Sequence, residues 1–282
     1  ILLVSFAALG FVSCNDWLEL TPTDRVSDKS AWESEEATDL YVNNFYEYIA
    51  IYGQFGDQQF NGNLTEGLTD TFKYGSYNEG SRAGDSNHYV FTPERMTSAG
   101  SLLDCWTNTY ERVRRINEFL AAMENYSTYS EEVNTLYEAQ ARFFRAYLYF
   151  QLAMRHGGEI IIFDKLSETV KNTPLTSADD TWQYIYDELT FAAENLPEQW
   201  NSQNSGRVTK GAAYAMLSRA MLYAERWSDA KAAGEEVLKL GYTLAPTYEE
   251  ATKGGNLESI LEFNYLVTGP NQYWDRHLCM YH

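Results

Sequence analysis

Cysteine is scarce in this chain: Cys14, Cys105 and Cys279 are the only three in 282 residues. None of them has the close spacing that a zinc site or a redox motif requires. Cys105 and Cys279 read as two free thiols, the alternative being a bridge between them in an oxidising compartment. The histidines are as scattered: His88, His156, His277 and His282 offer no HExxH and no i,i+4 metal pair. There is no GxSxG and no phosphate-cradling glycine loop. Basic residues are few, 21 Lys and Arg against 40 Asp and Glu, and the net charge of −19 argues against nucleic acid or an anionic lipid surface as partner. Adjacent carboxylates do occur, at Glu35-Glu36, Asp179-Asp180 and Glu249-Glu250. Neighbouring acids on a helix diverge by about 100° around its axis, whereas a glycosidase sets two carboxyls roughly 5–9 Å apart across a cleft. Acids at a helix start instead favour the helix dipole, and Asp179-Asp180 fits that role. These absences predict a protein without catalysis, cofactor or metal.

Aromatic residues are abundant: 15% of the chain, with 22 Tyr and 7 Trp. Such side chains fill cores, and they also make flat recognition surfaces with a polar handle. Long apolar runs are confined to the start, ILLVSFAALGFV, which carries no charge. That run matches a signal-peptide core and is too short for a mature membrane-spanning helix. Ser13 and Val12 precede Cys14 in the manner of a bacterial lipobox, with Phe11 in place of the usual Leu. In a lipobox the cysteine thiol receives a diacylglyceryl group before cleavage, so residues 1–13 read as a lipoprotein signal peptide and Cys14 as the mature start. The chain begins at Ile1 with neither Met nor a basic region, so the signal reads as incomplete.

Beyond the extended, turn-rich DWLELTPTDRVSDKSAW, apolar spacing predicts a helix over 32–51. Residues 53–100 lose that periodicity and are rich in Gly, Asn, Asp and aromatics, which predicts long ordered loops. Helices resume at about 101, where Trp106, Tyr110, Val113, Asn117 and Leu120 recur at 3–4 spacing. Over 131–155, Leu136, Ala139, Phe143, Ala146, Phe150 and Ala153 form a sustained stripe, and His156-Gly157-Gly158 ends it as a glycine cap. Glu159-Ile-Ile-Ile-Phe reads as a short extended connection, and 180–195 as a further helix. In 206–241, one helix carries Ala212, Ala215, Met216, Arg219, Ala220 and Tyr223, and after a break at 225–228 a second carries Ala230, Ala233, Val237 and Leu240. Small residues on facing sides let two such helices pack closely, and the unit resembles a tetratricopeptide repeat.

Several segments, taken in order, resemble the SusD/RagB family of nutrient-binding lipoproteins of Bacteroidetes. They are CNDWLELTP from Cys14, Trp106-x-x-x-Tyr110-x-x-Val113-x-x-x-Asn117-x-Phe119-Leu120, the helix EAQARFFRAYLYFQLAMRHGG at 138–158, GRVTKGAA at 206–213, and Glu258-Ser-Ile-Leu-Glu262-Phe263. The last of these resembles a strand-like segment that follows the repeats in that family. The resemblance implies a mainly α fold of tetratricopeptide-like repeats in a right-handed superhelix, with long irregular binding loops, over 14–282. It also implies that the chain is the N-terminal portion of a longer protein. Further implied are an outer-membrane lipoprotein facing the cell exterior, an oligosaccharide or polysaccharide ligand, a SusC-like TonB-dependent transporter as partner, and no catalysis.

Sugar rings lie with their C–H faces on aromatic rings while their hydroxyls pair with amide, carboxylate or guanidinium groups. The stretch 65–91 supplies that mixture, with Phe72, Tyr74 and Tyr77 as candidate stacking platforms and Asp70, Asn78 and Arg82 as candidate hydroxyl partners. Tyr273 and Trp274 form a second candidate pair in a loop after the strand-like segment. The rival reading is a helical-repeat scaffold that binds no sugar, or a peptide-binding envelope protein; such a scaffold has little need of the aromatic stretch. The lipobox reading has a direct check. The Cys14→Ala protein should leave the membrane fraction on cell fractionation; undiminished membrane retention would contradict lipidation at Cys14.

Overall fold

A computed structural model describes residues 32, 34–52, 105–166 and 173–262, and these are helical with no strand among them. The helices are α1 (Glu35–Tyr52), α2 (Trp106–Tyr126), α3 (Glu131–His156), α4 (Ala178–Asn195), α5 (Lys210–Tyr223), α6 (Trp227–Leu238) and the short α7 (Tyr248–Thr252). Neighbours in sequence are neighbours in space: α2 packs on α3, α3 on α4, α4 on α5 and α5 on α6, while α1 lies against α3. A stack of sequential helix pairs is what tetratricopeptide-like spacing predicts.

Each boundary has a local cause. Ser130, Ser177 and Thr209 accept the N–H bonds of Val133, Asp180 and Ala212 and so start α3, α4 and α5. The Ser177 hydroxyl also donates to the Asp180 carboxylate at 2.6 Å, and Asp179-Asp180 occupy the first turn of α4, as the sequence suggests. Gly157 adopts φ 72° at the end of α3, and Gly158, with φ 89°, donates its N–H to Ala153. Helix α2 begins at Trp106 behind Cys105, which is buried and carries no disulfide among the described residues. The turn between α5 and α6 bends at Glu225, with φ 58°.

Helix α3 is the axis of the core. From Tyr137 to Ala153 almost every residue is buried, so the apolar stripe read from the sequence is one side of a helix covered nearly all round. Phe143 and Phe144 are fully enclosed. Phe45 of α1, Phe119 of α2 and Trp32 meet edge to face at 5.5–5.6 Å and join three elements in one aromatic cluster. Helix α5 is covered on two sides, by α4 and α6, so its buried set is Ala212, Ala213, Met216, Leu217, Ala220 and Met221. Arg219 and Tyr223, expected on the stripe, are exposed instead. A residue inside the hairpin seals it: the Ser218 hydroxyl donates to the Ala230 carbonyl of α6 at 2.8 Å.

The 206–213 segment has a structural purpose that spacing alone does not show. Arg207 pairs with Asp39 of α1 at 3.0 Å and donates to Gln140 of α3 at 3.1 Å. Tyr46 donates to the same Gln140 oxygen and accepts from the Val208 N–H, both at 3.0 Å. The segment thus ties the first helix to the third and the fifth. Gly211 lies beneath the Tyr242 ring, where a Cβ would sit 2.2 Å from the hydroxyl oxygen. Downstream, the expected strand-like run from Glu258 is irregular over 258–262, the part that is described. Among the described residues no strand pairs with it. Its carboxylates instead take the backbone bonds, Glu258 from Ala245 at 2.7 Å and Glu262 from Gly255 at 2.6 Å.

The two glycines after α3 should respond differently to substitution. A Cβ at Gly157 meets nothing, so Gly157→Ala should cost about 1 kcal/mol of left-handed strain. At Gly158 the added carbon lies 2.9 Å from the Ala178 Cβ, so Gly158→Ala should cost at least about 2 kcal/mol. Urea unfolding of the two proteins measures both values; equal losses would contradict the close approach of α4.

Candidate functional site

The aromatic and polar residues singled out for sugar binding, Asp70, Phe72, Tyr74, Tyr77, Asn78, Arg82, Tyr273 and Trp274, lie outside the described residues, as does Cys14. Within the described residues, a groove of about 370 Å³ runs between α2 and the connection that follows α3. Trp106, Tyr110, Val113 and Asn117 recur along one face of α2 and form one wall. The other wall is Ile161, Phe163 and Lys165, alternate residues of an extended chain, which therefore point the same way. Trp106 and Tyr110 meet edge to face at 5.1 Å, and Tyr110 and Phe163 at 5.7 Å.

Among the described residues no strand pairs with the extended wall, and side chains supply its bonds. The Tyr110 hydroxyl donates to the Ile161 carbonyl at 3.0 Å and accepts from the Ile161 N–H at 2.9 Å. Tyr149 of α3 does the same for Phe163, donating at 3.0 Å and accepting at 2.7 Å. On the opposite edge Thr176 donates its N–H to Ile160, and its hydroxyl accepts from Ile162. Two phenols and one threonine thus replace two partner strands. Burial pushes the Tyr110 phenol up to about 12, partly offset by its backbone bond, and lifts Tyr149 well above the ordinary phenol range. Both remain neutral donors at any physiological pH.

A buried ionic hub fixes the same wall from below. Glu188 of α4 accepts from Arg145 at 2.7 Å and from Arg142 at 2.8 Å, and the Arg145 and Glu188 side chains are only 6% and 4% exposed. Arg145 also donates to Asn117 of α2 and to the Asp164 carbonyl, at 2.7 and 2.9 Å. The Asn117 amide in turn donates to the Phe163 and Lys165 carbonyls, at 2.9 and 3.3 Å. Burial alone would lower the Arg145 pKa, but the Glu188 charge and its hydrogen bonds carry it above the usual guanidinium value. Arg142 lies over the Phe191 ring at 3.8 Å, which covers the outer side of the hub.

Spacing places Trp106 and Tyr110 on a helix stripe, and that is where they are; their partly open faces toward the connection were not legible from spacing. The signal that points there is the pairing of a Trp-x-x-x-Tyr stripe with a short β-type run that has no partner strand. Among the described residues no group of three His, Cys, Asp or Glu side chains could hold a metal ion. The groove offers aromatic faces and a polar rim, the chemistry of non-covalent capture.

Such a scaffold of stacked helix pairs with open aromatic surface defines a helical-repeat binding protein. A family model described as SusD-like, "Starch-binding associating with outer membrane", matches residues 16–222, and the chain belongs to this SusD-like family. A SusD-like protein of Bacteroides ovatus is 25% identical over 295 residues, covering 95% of this chain and 50% of its own length. The crystal structure of a SusD-like protein from Bacteroides fragilis superposes with a TM-score of 0.71 at 29% identity, over 86% of this chain and 47% of that one. The surface glycan-binding protein A from Bacteroides uniformis superposes with a TM-score of 0.66 at 24% identity, over 82% of this chain and 53% of that one, a likeness of fold. The chain thus spans about half the length of the relatives it matches.

The hub yields a test. Glu188→Ala strands Arg145 in the core and should cost about 3–5 kcal/mol in urea unfolding. Arg114→Ala breaks the exposed Arg114–Glu118 pair, 58% and 41% open, and should cost less than about 0.5 kcal/mol. Similar losses for both would contradict a central role for the buried pair.

Proposed function

We propose that this protein is a lipid-anchored, surface-facing glycan-binding protein that captures oligosaccharide and delivers it to a SusC-like TonB-dependent transporter in the outer membrane. The observation that carries this reading is the family match over residues 16–222, whose description names both starch binding and the outer membrane. The helical scaffold shared with the surface glycan-binding protein of Bacteroides uniformis supports it. Among the described residues no helix is long and apolar enough to cross a membrane. In this reading attachment is through a lipid on the lipobox cysteine, Cys14. Capture works through stacking of sugar faces on aromatic rings and hydrogen bonds to hydroxyls, with no bond made or broken.

In this reading Phe72, Tyr74 and Tyr77 are the stacking platforms, with Asp70, Asn78 and Arg82 as hydroxyl partners and Tyr273 and Trp274 as an auxiliary pair. The test is affinity electrophoresis of the protein through gels containing a panel of neutral and acidic polysaccharides. At least one polysaccharide should retard it, and Tyr74→Ala combined with Tyr77→Ala should weaken that binding about tenfold or more. Unretarded migration through every gel would overturn glycan capture.

A further inference from the structure

We propose that the groove between α2 and residues 161–166 is a second carbohydrate subsite, built from residues other than the 65–91 stretch and selective for a neutral sugar ring. The inference rests on the glycan-binding reading and adds a place and a ligand class to it. The first support is the division of labour between floor and rim. Two polar groups of the floor are engaged, the Tyr110 hydroxyl by Ile161 and the Asn117 amide by Arg145, Phe163 and Lys165. The floor therefore presents mainly the ring faces of Trp106, Tyr110 and Phe163, all partly exposed.

The rim is the reverse. The side chains of Thr107, Glu111 and Lys165 are exposed and make no hydrogen bond or ion pair among the described residues, and Arg114 engages Glu118 through its Nε. A sugar ring has the matching asymmetry, a C–H face that lies on an aromatic floor and hydroxyls around its edge that reach carboxylate, ammonium and hydroxyl groups. An acyl chain would leave the rim groups unused. The rim carries both signs, Glu111 against Lys165, with Arg114 neutralised by Glu118, which favours an uncharged ligand over an anionic one. The volume, about 370 Å³, lies at the lower end of the range for small-molecule sites and suits one or two rings. The walls are fixed before any ligand arrives, by two phenols and the Arg145–Glu188 hub, so binding there costs little ordering of the protein.

The experiment is calorimetric titration of the protein with a panel of neutral oligosaccharides, namely maltoheptaose, laminarihexaose, mannohexaose and xylohexaose. Three variants are titrated beside the parent: Tyr74→Ala with Tyr77→Ala, Glu111→Gln with Lys165→Ala, and all four together. The rim substitutions lie on the surface and leave the fold intact, which far-ultraviolet circular dichroism checks. For the ligand that binds the parent, the rim pair should weaken binding about tenfold, and the four-fold variant should bind more weakly than either pair alone. Binding that is untouched by the rim pair and abolished by the tyrosine pair overturns the second subsite while leaving glycan capture standing. Absence of binding by the parent to every oligosaccharide in the panel overturns the neutral-sugar subsite, while glycan capture itself is decided by the polysaccharide gels.

Discussion

A single buried carboxylate, Glu188, sets the geometry on which the candidate site depends. It lies on α4, receives two guanidinium groups from α3, and through Arg145 reaches both α2 and the backbone of Asp164. Four consecutive elements therefore share one electrostatic node. A buried ion pair contributes little net stability, because desolvation cancels most of the attraction. What it supplies is position: the pair tolerates only the arrangement in which every lone pair and proton is matched. Without it, α2 and the connection after α3 would have apolar reasons to approach but no reason to hold one register.

The connection itself shows how an all-helical scaffold can carry an extended segment. A run of three isoleucines and a phenylalanine has strand chemistry but, among the described residues, no strand to join. Tyr110 and Tyr149 answer each of two alternate residues with both a donor and an acceptor, which is what a neighbouring strand would do. The side chains between those bonds then line the groove. The same economy appears at 206–213, where Arg207 and the Val208 N–H reach α1 and α3 and give the most recognisable stretch of the sequence a role in assembly.

Much of the helical fold was legible in the residues. The stripes of α2 and α3, the acidic start of α4 and the double glycine after α3 are all local signals, and local signals survive in one dimension. Three things were not. Arg219 and Tyr223 were placed on a buried stripe because a two-sided helix cannot be told from a one-sided one by period alone. The run from Glu258 reads as strand-like from its resemblance to the family's segment there, yet over 258–262 it is irregular, with its glutamate side chains accepting from the Ala245 and Gly255 N–H groups. The groove was invisible because Trp106 and Tyr110 look like core residues until the segment across from them is placed. The residues first chosen for sugar, from Asp70 to Arg82, and the pair Tyr273 and Trp274 lie outside the described residues.

The central claim is that this helical scaffold holds carbohydrate without changing it. The most direct measurement is a crystal structure of the protein with a bound oligosaccharide that calorimetry has first shown to bind. The account predicts an intact oligosaccharide whose rings lie on aromatic faces and whose hydroxyls meet charged and amide side chains. A cleaved sugar, or one held at a surface without aromatic contact, would contradict it.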